Sequence, residues 1–186
     1  MIGAGKTTLA TELGSILGIP VYYEPVIDNV YLDDFYKDMK SNAFSLEVYL
    51  LTKRFEQHHQ LVWSKQGGVQ DRTIYEDRVF ALMLKDQGMI TERDYNTYVE
   101  LFAIMSKLMG KPTVMVHLDV SPEESMRRIW MRNRECEKGI TLEYLTDLHS
   151  HYETFIKEIS RSVRVVRVDY EKFTSARDIV ELIGCS

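Results

Sequence analysis

The run Gly3-Ala4-Gly5-Lys6-Thr7-Thr8 constrains the fold of this chain most, because it leads directly into helix-forming residues. Glycines leave backbone N–H groups free to converge on phosphate oxygens, and a helix beginning at Lys6 adds about half a positive charge at its N-terminus. In a loop of this type Lys6 reaches the β- and γ-phosphates and Thr7 holds Mg²⁺. The run therefore predicts that this segment binds ATP and Mg²⁺. The alternative is a chance combination of Gly, Lys and Thr at a helix start.

The complete loop pattern, Gly-x-x-x-x-Gly-Lys-Thr, places its first glycine one position before Met1. The β-strand that precedes such a loop is not in the sequence either. We therefore expect the first strand and the first loop glycine to be missing, either because the sequence is a fragment or because its start was assigned to an internal Met.

The length of 186 residues fits one domain, spanning 1–186. A formal net charge of −5 argues against nucleic acid as a partner, because no broad basic face is available to bind it. The two cysteines, Cys136 and Cys185, are too few for a disulfide framework and favour a reducing, cytoplasmic location. No apolar run approaches the length needed to cross a membrane, so no membrane partner is expected.

Helical stretches alternate with short apolar strands along the whole chain, which predicts an α/β fold with a parallel sheet between two layers of helices. Predicted helices run from about Lys6 to Leu17 and from about Leu142 to Ile159, and the most strand-like segment is Val114 to Asp119. Glu24 and Asp71 each follow a predicted strand. Because open α/β sheets bind ligands at the carboxyl ends of their strands, both carboxylates are expected at the site.

The positive charge that a polyphosphate requires is concentrated in the run Arg127-Arg128-Ile129-Trp130-Met131-Arg132-Asn133-Arg134. Arg128 and Arg132 share a helical face and Arg134 lies just beyond it, so three guanidiniums are placed to close over one phosphate chain. We expect a lid at about 128–139, with Arg128 and Arg132 acting on the transferred phosphoryl group and Arg134 contacting ATP. The alternative is a solvated basic helix end that interacts with its own dipole.

A phosphate loop, carboxylates at strand ends and an arginine-rich segment together favour phosphoryl transfer. This reaction needs positioning and charge neutralisation more than covalent chemistry, so these groups with Mg²⁺ form a sufficient set.

At this point the sequence resembles the deoxynucleoside kinase family across nearly its whole length. Glu24-Pro25-Val26 is similar to the family's Glu-Pro-Val motif, Asp71-Arg72-Thr73 to its Asp/Glu-Arg-Ser/Thr motif, and Arg128 to Glu137 to its lid. The combination is more specific than any single motif. The resemblance implies an ATP-dependent kinase of deoxynucleosides, with a P-loop kinase fold and a homodimeric state.

The resemblance also implies roles for single residues. Glu24 would take the proton from the deoxyribose 5′-hydroxyl, Arg72 would steady the same region, and Asp71 would help to hold Mg²⁺. On the nucleoside side, the residues implied are Tyr36 and Glu137 at the sugar 3′-hydroxyl, Arg54 and Asp77 paired above the base, and Glu47 at the base edge.

Two positions depart from the family pattern: Glu47 stands where Gln is usual, and Val30 follows Asn29 where Pro is often found. A Gln offers one donor and one acceptor, whereas an ionised Glu offers acceptors only. An ionised Glu47 is best satisfied by guanine, with its N1–H and amino group, which predicts a preference for deoxyguanosine relative to a Glu47→Gln variant. The alternatives are neutralisation by Arg54 and an outward-facing side chain.

Two other functions compete with a deoxynucleoside kinase. A nucleoside monophosphate kinase, such as thymidylate kinase, shares the P-loop architecture, but its anionic acceptor calls for cations where this chain has Glu24. A kinase-like accessory subunit without activity, resembling the one in respiratory complex I, is the second alternative. The presence of Lys6, Glu24 and Asp71 weighs against it, and the truncated loop weighs for it.

Overall fold

The computed structural model describes residues 1–24 and 29–184 and confirms the alternation of helices and strands. Its helices are α1 (Lys6–Leu17), α2 (Leu32–Lys37), α3 (Met39–Ser64), α4 (Asp77–Asp86), α5 (Glu92–Ser106), α6 (Pro122–Arg132), α7 (Leu142–Ile159) and α8 (Ala176–Ile183), with 3₁₀ helices at Ile74–Glu76 and Glu135–Glu137. The strands are β1 (Val21–Tyr22), β2 (Val69–Gln70), β3 (Met115–Asp119) and β4 (Val165–Asp169).

All strand pairing among the described residues is parallel, but the strands form two pairs rather than the single sheet predicted from the sequence. β1 pairs with β2, aligning Val21 with Val69, and β3 pairs with β4, aligning Met115 with Val165. The amino group of Met1 is buried and interacts electrostatically with Arg72, which follows β2, and with His117 on β3. The prediction of a parallel α/β architecture is confirmed, with the described strands arranged as two parallel pairs.

Hydroxyl side chains cap the starts of several helices. The Ser121 hydroxyl accepts a hydrogen bond from the Glu124 N–H at 3.2 Å, and Pro122 occupies the first helical position of α6. Thr91 accepts in the same way from the Asp94 N–H at the start of α5. These caps fix where the helices begin, and therefore where the loops between them reach the site.

The main apolar core joins the helices to the longer strand pair. It contains Leu9 and Leu13 of α1, Met83 and Leu84 of α4, Leu118 of β3, Leu145 and Leu148 of α7, and Val168 of β4. Because each strand pair is parallel, the residues after β1 and β2 emerge at one edge beside the start of α1. That edge carries Glu24 and Asp71.

Within the described residues, no helix is long and apolar enough to cross a membrane.

Candidate active site

A cavity of about 760 Å³ extends from the start of α1 to the middle of α3. Most of the predicted site residues line it: Gly3, Gly5, Lys6, Thr7, Thr8, Glu24, Tyr36, Glu47, Arg54, Asp71, Arg72, Arg128, Arg132, Arg134 and Glu137. Ala4 and Asp77 do not line the cavity, because both are fully buried behind it. Pro25 and Val26 of the predicted Glu-Pro-Val motif lie outside the described residues.

The phosphate end of the cavity is built by the glycine-rich loop. Gly3 and Gly5 have φ angles of 75° and 93°, in the left-handed region that favours glycine. A Cβ at Gly3 would lie 2.7 Å from the carbonyl oxygen of Ser125. Gly5 precedes α1 without a side-chain cap, so the first N–H groups of the helix are free to bind an anion.

Lys6 donates a hydrogen bond to the Met1 carbonyl at 2.7 Å. Burial and the nearby Arg72 lower the pKa of Lys6 to about 8, despite the opposing charge of Glu24. Among the described residues no carboxylate forms a direct ion pair with this buried ammonium, and the phosphate chain of a nucleotide would supply an anion for it.

Thr7 and Asp71 meet at the same end of the cavity. The Thr7 hydroxyl donates to Asp71 Oδ2 at 2.5 Å, whereas Asp71 Oδ1 is buried without a hydrogen-bond partner among the described residues. A hydroxyl and a carboxylate with an unsatisfied oxygen are hard oxygen ligands of the kind that Mg²⁺ prefers. The residues present therefore fit the predicted metal.

Glu24 lies at the centre of the cavity between two arginines. Its carboxylate is 3.0 Å from Arg72 Nε and forms a short ion pair with Arg54. Burial raises the pKa of Glu24, but Arg72, Arg54 and Lys6 together outweigh burial and lower that pKa to about 2. The carboxylate is therefore ionised and acts only as an acceptor at neutral pH.

Arg72 is held by contacts that the sequence did not predict. Its NH1 donates to the Tyr152 hydroxyl at 3.0 Å, its Nε lies 3.3 Å from Glu76, and its guanidinium stacks 4.7 Å from the centre of the Phe80 ring. In the sequence, Tyr152 and Phe80 occupy positions with the apolar spacing of any buried helical residue, so no sequence signal indicated that they contact Arg72. Arg72 also has a φ of 70°, which is rare for a residue with a side chain and typical of functional sites.

The far end of the cavity has walls of apolar side chains and also carries the buried charged groups of Arg54 and Glu47. Arg54 forms an ion pair with Asp77, as the resemblance implied, and both side chains are almost inaccessible to solvent. Glu47 is only 2% exposed and lines the cavity, so the alternative of an outward-facing side chain is excluded. Tyr36 lines the same region, and α2 packs against the 3₁₀ helix that carries Glu137.

The segment predicted to form a lid carries three arginines, and these differ in their partners. Arg128 is buried and donates to the carbonyl oxygens of Ala4, at 3.2 Å, and of Tyr170, at 2.6 Å. Arg132 forms a 2.5 Å ion pair with Glu137, and Arg134 lies 3.6 Å from the same carboxylate. All three line the cavity, although Arg128 is engaged with the phosphate loop itself rather than facing open solvent.

The geometry brings together a phosphate-binding loop, an oxygen pair suited to Mg²⁺, an ionised carboxylate and lid arginines around one cavity. A family model described as deoxynucleoside kinase matches residues 1–183. The chain belongs to the deoxynucleoside kinase family. Its activity is therefore the phosphorylation of a deoxynucleoside with ATP as the phosphate donor, as predicted.

Relatives of this deoxynucleoside kinase cover most of its length. A deoxyadenosine kinase of Dictyostelium discoideum is 52% identical over 183 residues, which is 98% of this chain and 75% of that protein. A deoxyadenosine/deoxycytidine kinase of Bacillus subtilis (strain 168) is 34% identical over 187 residues, covering 98% of this chain and 86% of that protein. The solved structure of a deoxyadenosine kinase from M. mycoides with bound dCTP superposes with a TM-score of 0.86 at 31% identity, covering 99% of this chain and 93% of that one.

Proposed function

We propose that this kinase transfers the γ-phosphate of ATP to the 5′-hydroxyl of a deoxynucleoside, with deoxyadenosine as its leading substrate. The observation that carries this proposal is the position of Glu24, an ionised carboxylate that lines the cavity and interacts both with Lys6 of the phosphate loop and with Arg54 of α3. The names of the two relatives support deoxyadenosine, since both include it.

The phosphate chain of ATP binds the N–H groups of the loop from Gly3 to Thr8 and the ammonium of Lys6. Thr7 and Asp71 hold Mg²⁺, and the buried free oxygen of Asp71 supports this assignment. When bound, Mg²⁺ neutralises charge on the transferred phosphoryl group.

Glu24 accepts a hydrogen bond from the 5′-hydroxyl and orients its oxygen toward the γ-phosphorus. As the new O–P bond forms and the bond to the leaving ADP oxygen breaks, the hydroxyl proton passes to Glu24. A carboxylate with a pKa of about 2 is a weak base. It suffices here because the hydroxyl becomes strongly acidic only once its bond to phosphorus is largely made.

The lid supplies positive charge on the opposite side of the transferred group. Arg132 and Arg134 exchange their contacts with Glu137 for contacts with the phosphates. Arg128 stays bound to the Ala4 carbonyl of the loop, with its guanidinium at the edge of the cavity. Glu137, once released, accepts from the sugar 3′-hydroxyl together with Tyr36.

The nucleoside base occupies the apolar end of the cavity. Arg54 and Asp77 form the buried ion pair beside it, and Glu47 lies at its edge. The side chains of Leu50 and Phe80 form part of its walls.

We also propose a homodimer located in the cytoplasm. An exposed apolar patch on the neighbouring helices α3 and α5 supports self-association; it contains Val62, Trp63, Leu101, Ile104 and the following Leu108. The location rests only on the small number of cysteines. Light scattering checks the dimer: Ile104→Glu should yield monomers, whereas Trp130→Glu, at an exposed position of α6, should not.

The proposed reaction is tested by following radiolabelled γ-phosphate from ATP to each of the deoxynucleosides and, separately, to thymidine monophosphate. Labelled nucleoside 5′-monophosphates are expected, with deoxyadenosine the best acceptor. Transfer to thymidine monophosphate alone would contradict the proposal and favour a monophosphate kinase. A Lys6→Met variant, which loses the phosphate-binding ammonium, serves as the inactive control.

A further inference from the structure

Glu47 is a buried carboxyl group with an unsatisfied oxygen. It lies on α3, borders the cavity, and its Oε2 has no hydrogen-bond partner among the described residues. A buried polar atom left without a partner costs about 1–3 kcal/mol, so a ligand that satisfies Oε2 gains affinity from it.

Arg54 does not neutralise Glu47 by a direct ion pair, although the sequence allowed that alternative. The guanidinium of Arg54 is bound on one side to Asp77 and on the other to Glu24. No ion pair within 4.0 Å links Glu47 to a cation in the part of the chain that the structure describes. The carboxyl group is therefore available to the base.

The charged and titratable groups around Glu47 come from several elements. Those that interact with it electrostatically are Arg54 on the same helix, Glu24 after β1, Arg72 after β2, Tyr98 on α5 and Tyr144 on α7. In addition, Tyr36 of α2 lines the same cavity and Asp77 of α4 is ion-paired to Arg54. Burial raises the pKa of Glu47, the two arginines lower it, and the balance is a pKa of about 7. Both protonation states are therefore populated near neutral pH.

The two states present different hydrogen-bonding patterns to a base. A protonated carboxyl donates from its O–H and accepts at its C=O, which matches the N1 acceptor and the N6 amino donor of adenine. An ionised carboxylate only accepts, which matches the N1–H and the amino group of guanine. Sequence reasoning considered the ionised form alone, since it could not show that the side chain is buried.

We propose that the protonation state of Glu47 selects the base, so that the kinase takes deoxyadenosine when this carboxyl is neutral and shifts toward deoxyguanosine when it ionises. The inference rests on the proposed function, because it assigns the base end of the same cavity. Glu47 is thus a specificity-determining residue whose preference changes with pH.

The test is to measure kcat/KM for deoxyadenosine and deoxyguanosine from about pH 6 to about pH 8.5 and to take their ratio at each pH. Since the protonated fraction of a group with a pKa of about 7 falls roughly 30-fold over this range, the ratio should fall at least tenfold. Titration of Lys6, whose pKa is about 8, affects both substrates alike and cancels in the ratio.

Two variants complete the experiment. Glu47→Gln carries a permanent donor and acceptor, so its ratio should favour deoxyadenosine and stay constant with pH. Glu100→Gln, at an exposed position on α5, should reproduce the profile of the unaltered protein.

If both nucleosides are phosphorylated but the ratio of their kcat/KM values changes by less than about twofold across the pH range, the inference is overturned and the proposed function stands. An equal fall in Glu47→Gln would also overturn it, because another group would then be responsible. Failure to phosphorylate any deoxynucleoside would overturn both. The pH profile of the unaltered protein is decisive by itself if the Gln variant does not fold.

Discussion

Replacing Glu47 by Gln is expected to make protein stability less sensitive to pH. The pKa of Glu47 rises from its ordinary value of 4.5 to about 7 in the folded protein because burial penalises its charged form. A carboxyl whose pKa is higher in the folded state favours folding at low pH. That contribution is present below about pH 4.5 and is lost as the pH rises through about 7.

The size of this effect on the free energy of unfolding follows from the rise in the pKa of Glu47 from 4.5 to about 7, since each pKa unit corresponds to about 1.36 kcal/mol. Compared with low pH, Glu47 lowers the free energy of unfolding by about 1 kcal/mol at pH 5 and by about 3 kcal/mol at pH 7.5, because it ionises more readily in the unfolded chain than in the folded protein. Gln does not ionise, so it removes this pH-dependent cost. The free energy of unfolding of Glu47→Gln, minus that of the unaltered protein, should increase by about 2 kcal/mol between these two pH values.

Urea unfolding without ligands, followed by circular dichroism at several pH values, measures this difference. Any constant effect of the new amide group, favourable or unfavourable, cancels when the two pH values are compared. The exposed Glu100→Gln change should give a difference that does not vary with pH. A pH-independent difference for Glu47→Gln would refute the argument that this carboxyl is buried and uncompensated.

Three further substitutions test the site. Glu24→Gln should keep nucleoside binding but lose turnover by roughly 10²- to 10⁴-fold, because its proton acceptor is removed; a loss below about tenfold in steady-state kinetics would rule out that role. Arg132→Ala should lower kcat more than the nucleoside KM, whereas Arg128→Ala should also lower the melting temperature, since Arg128 bonds buried backbone carbonyls. Asp77→Asn should destabilise the fold by about 3–5 kcal/mol in urea unfolding, because it leaves the charge of Arg54 buried with a weakened partner; a change under about 1 kcal/mol would show that Glu24 alone suffices.

Local sequence signals predicted the helices well because they act over a few residues. The bounds of α1, Lys6–Leu17, and of α7, Leu142–Ile159, agree with the prediction, and the Ser121 hydroxyl caps the start of α6. Each of these helix boundaries is set by a glycine, a hydroxyl side chain or a pattern of apolar residues that lies within one or two helical turns.

Features that depend on distant residues were not predictable from such signals. The division of the strands into two parallel pairs is one such feature, because it depends on which strands meet in the fold. Likewise, the spacing of Arg128 and Arg132 indicated one shared face but not that Arg128 would reach the Tyr170 carbonyl, 42 positions away. The spacing of α3 placed Glu47 among apolar residues, yet only the fold shows that its Oε2 has no hydrogen-bond partner among the described residues.

Because the backbone at Arg72 is left-handed, stability and activity favour different residues at this position. Any side chain at this φ costs about 1–3 kcal/mol of strain, which only glycine avoids. Yet the guanidinium holds Glu24, Glu76 and Tyr152 in place around the reacting groups. A library of variants at position 72 sorted for resistance to unfolding should therefore enrich glycine relative to other small residues, whereas one sorted for turnover should retain arginine.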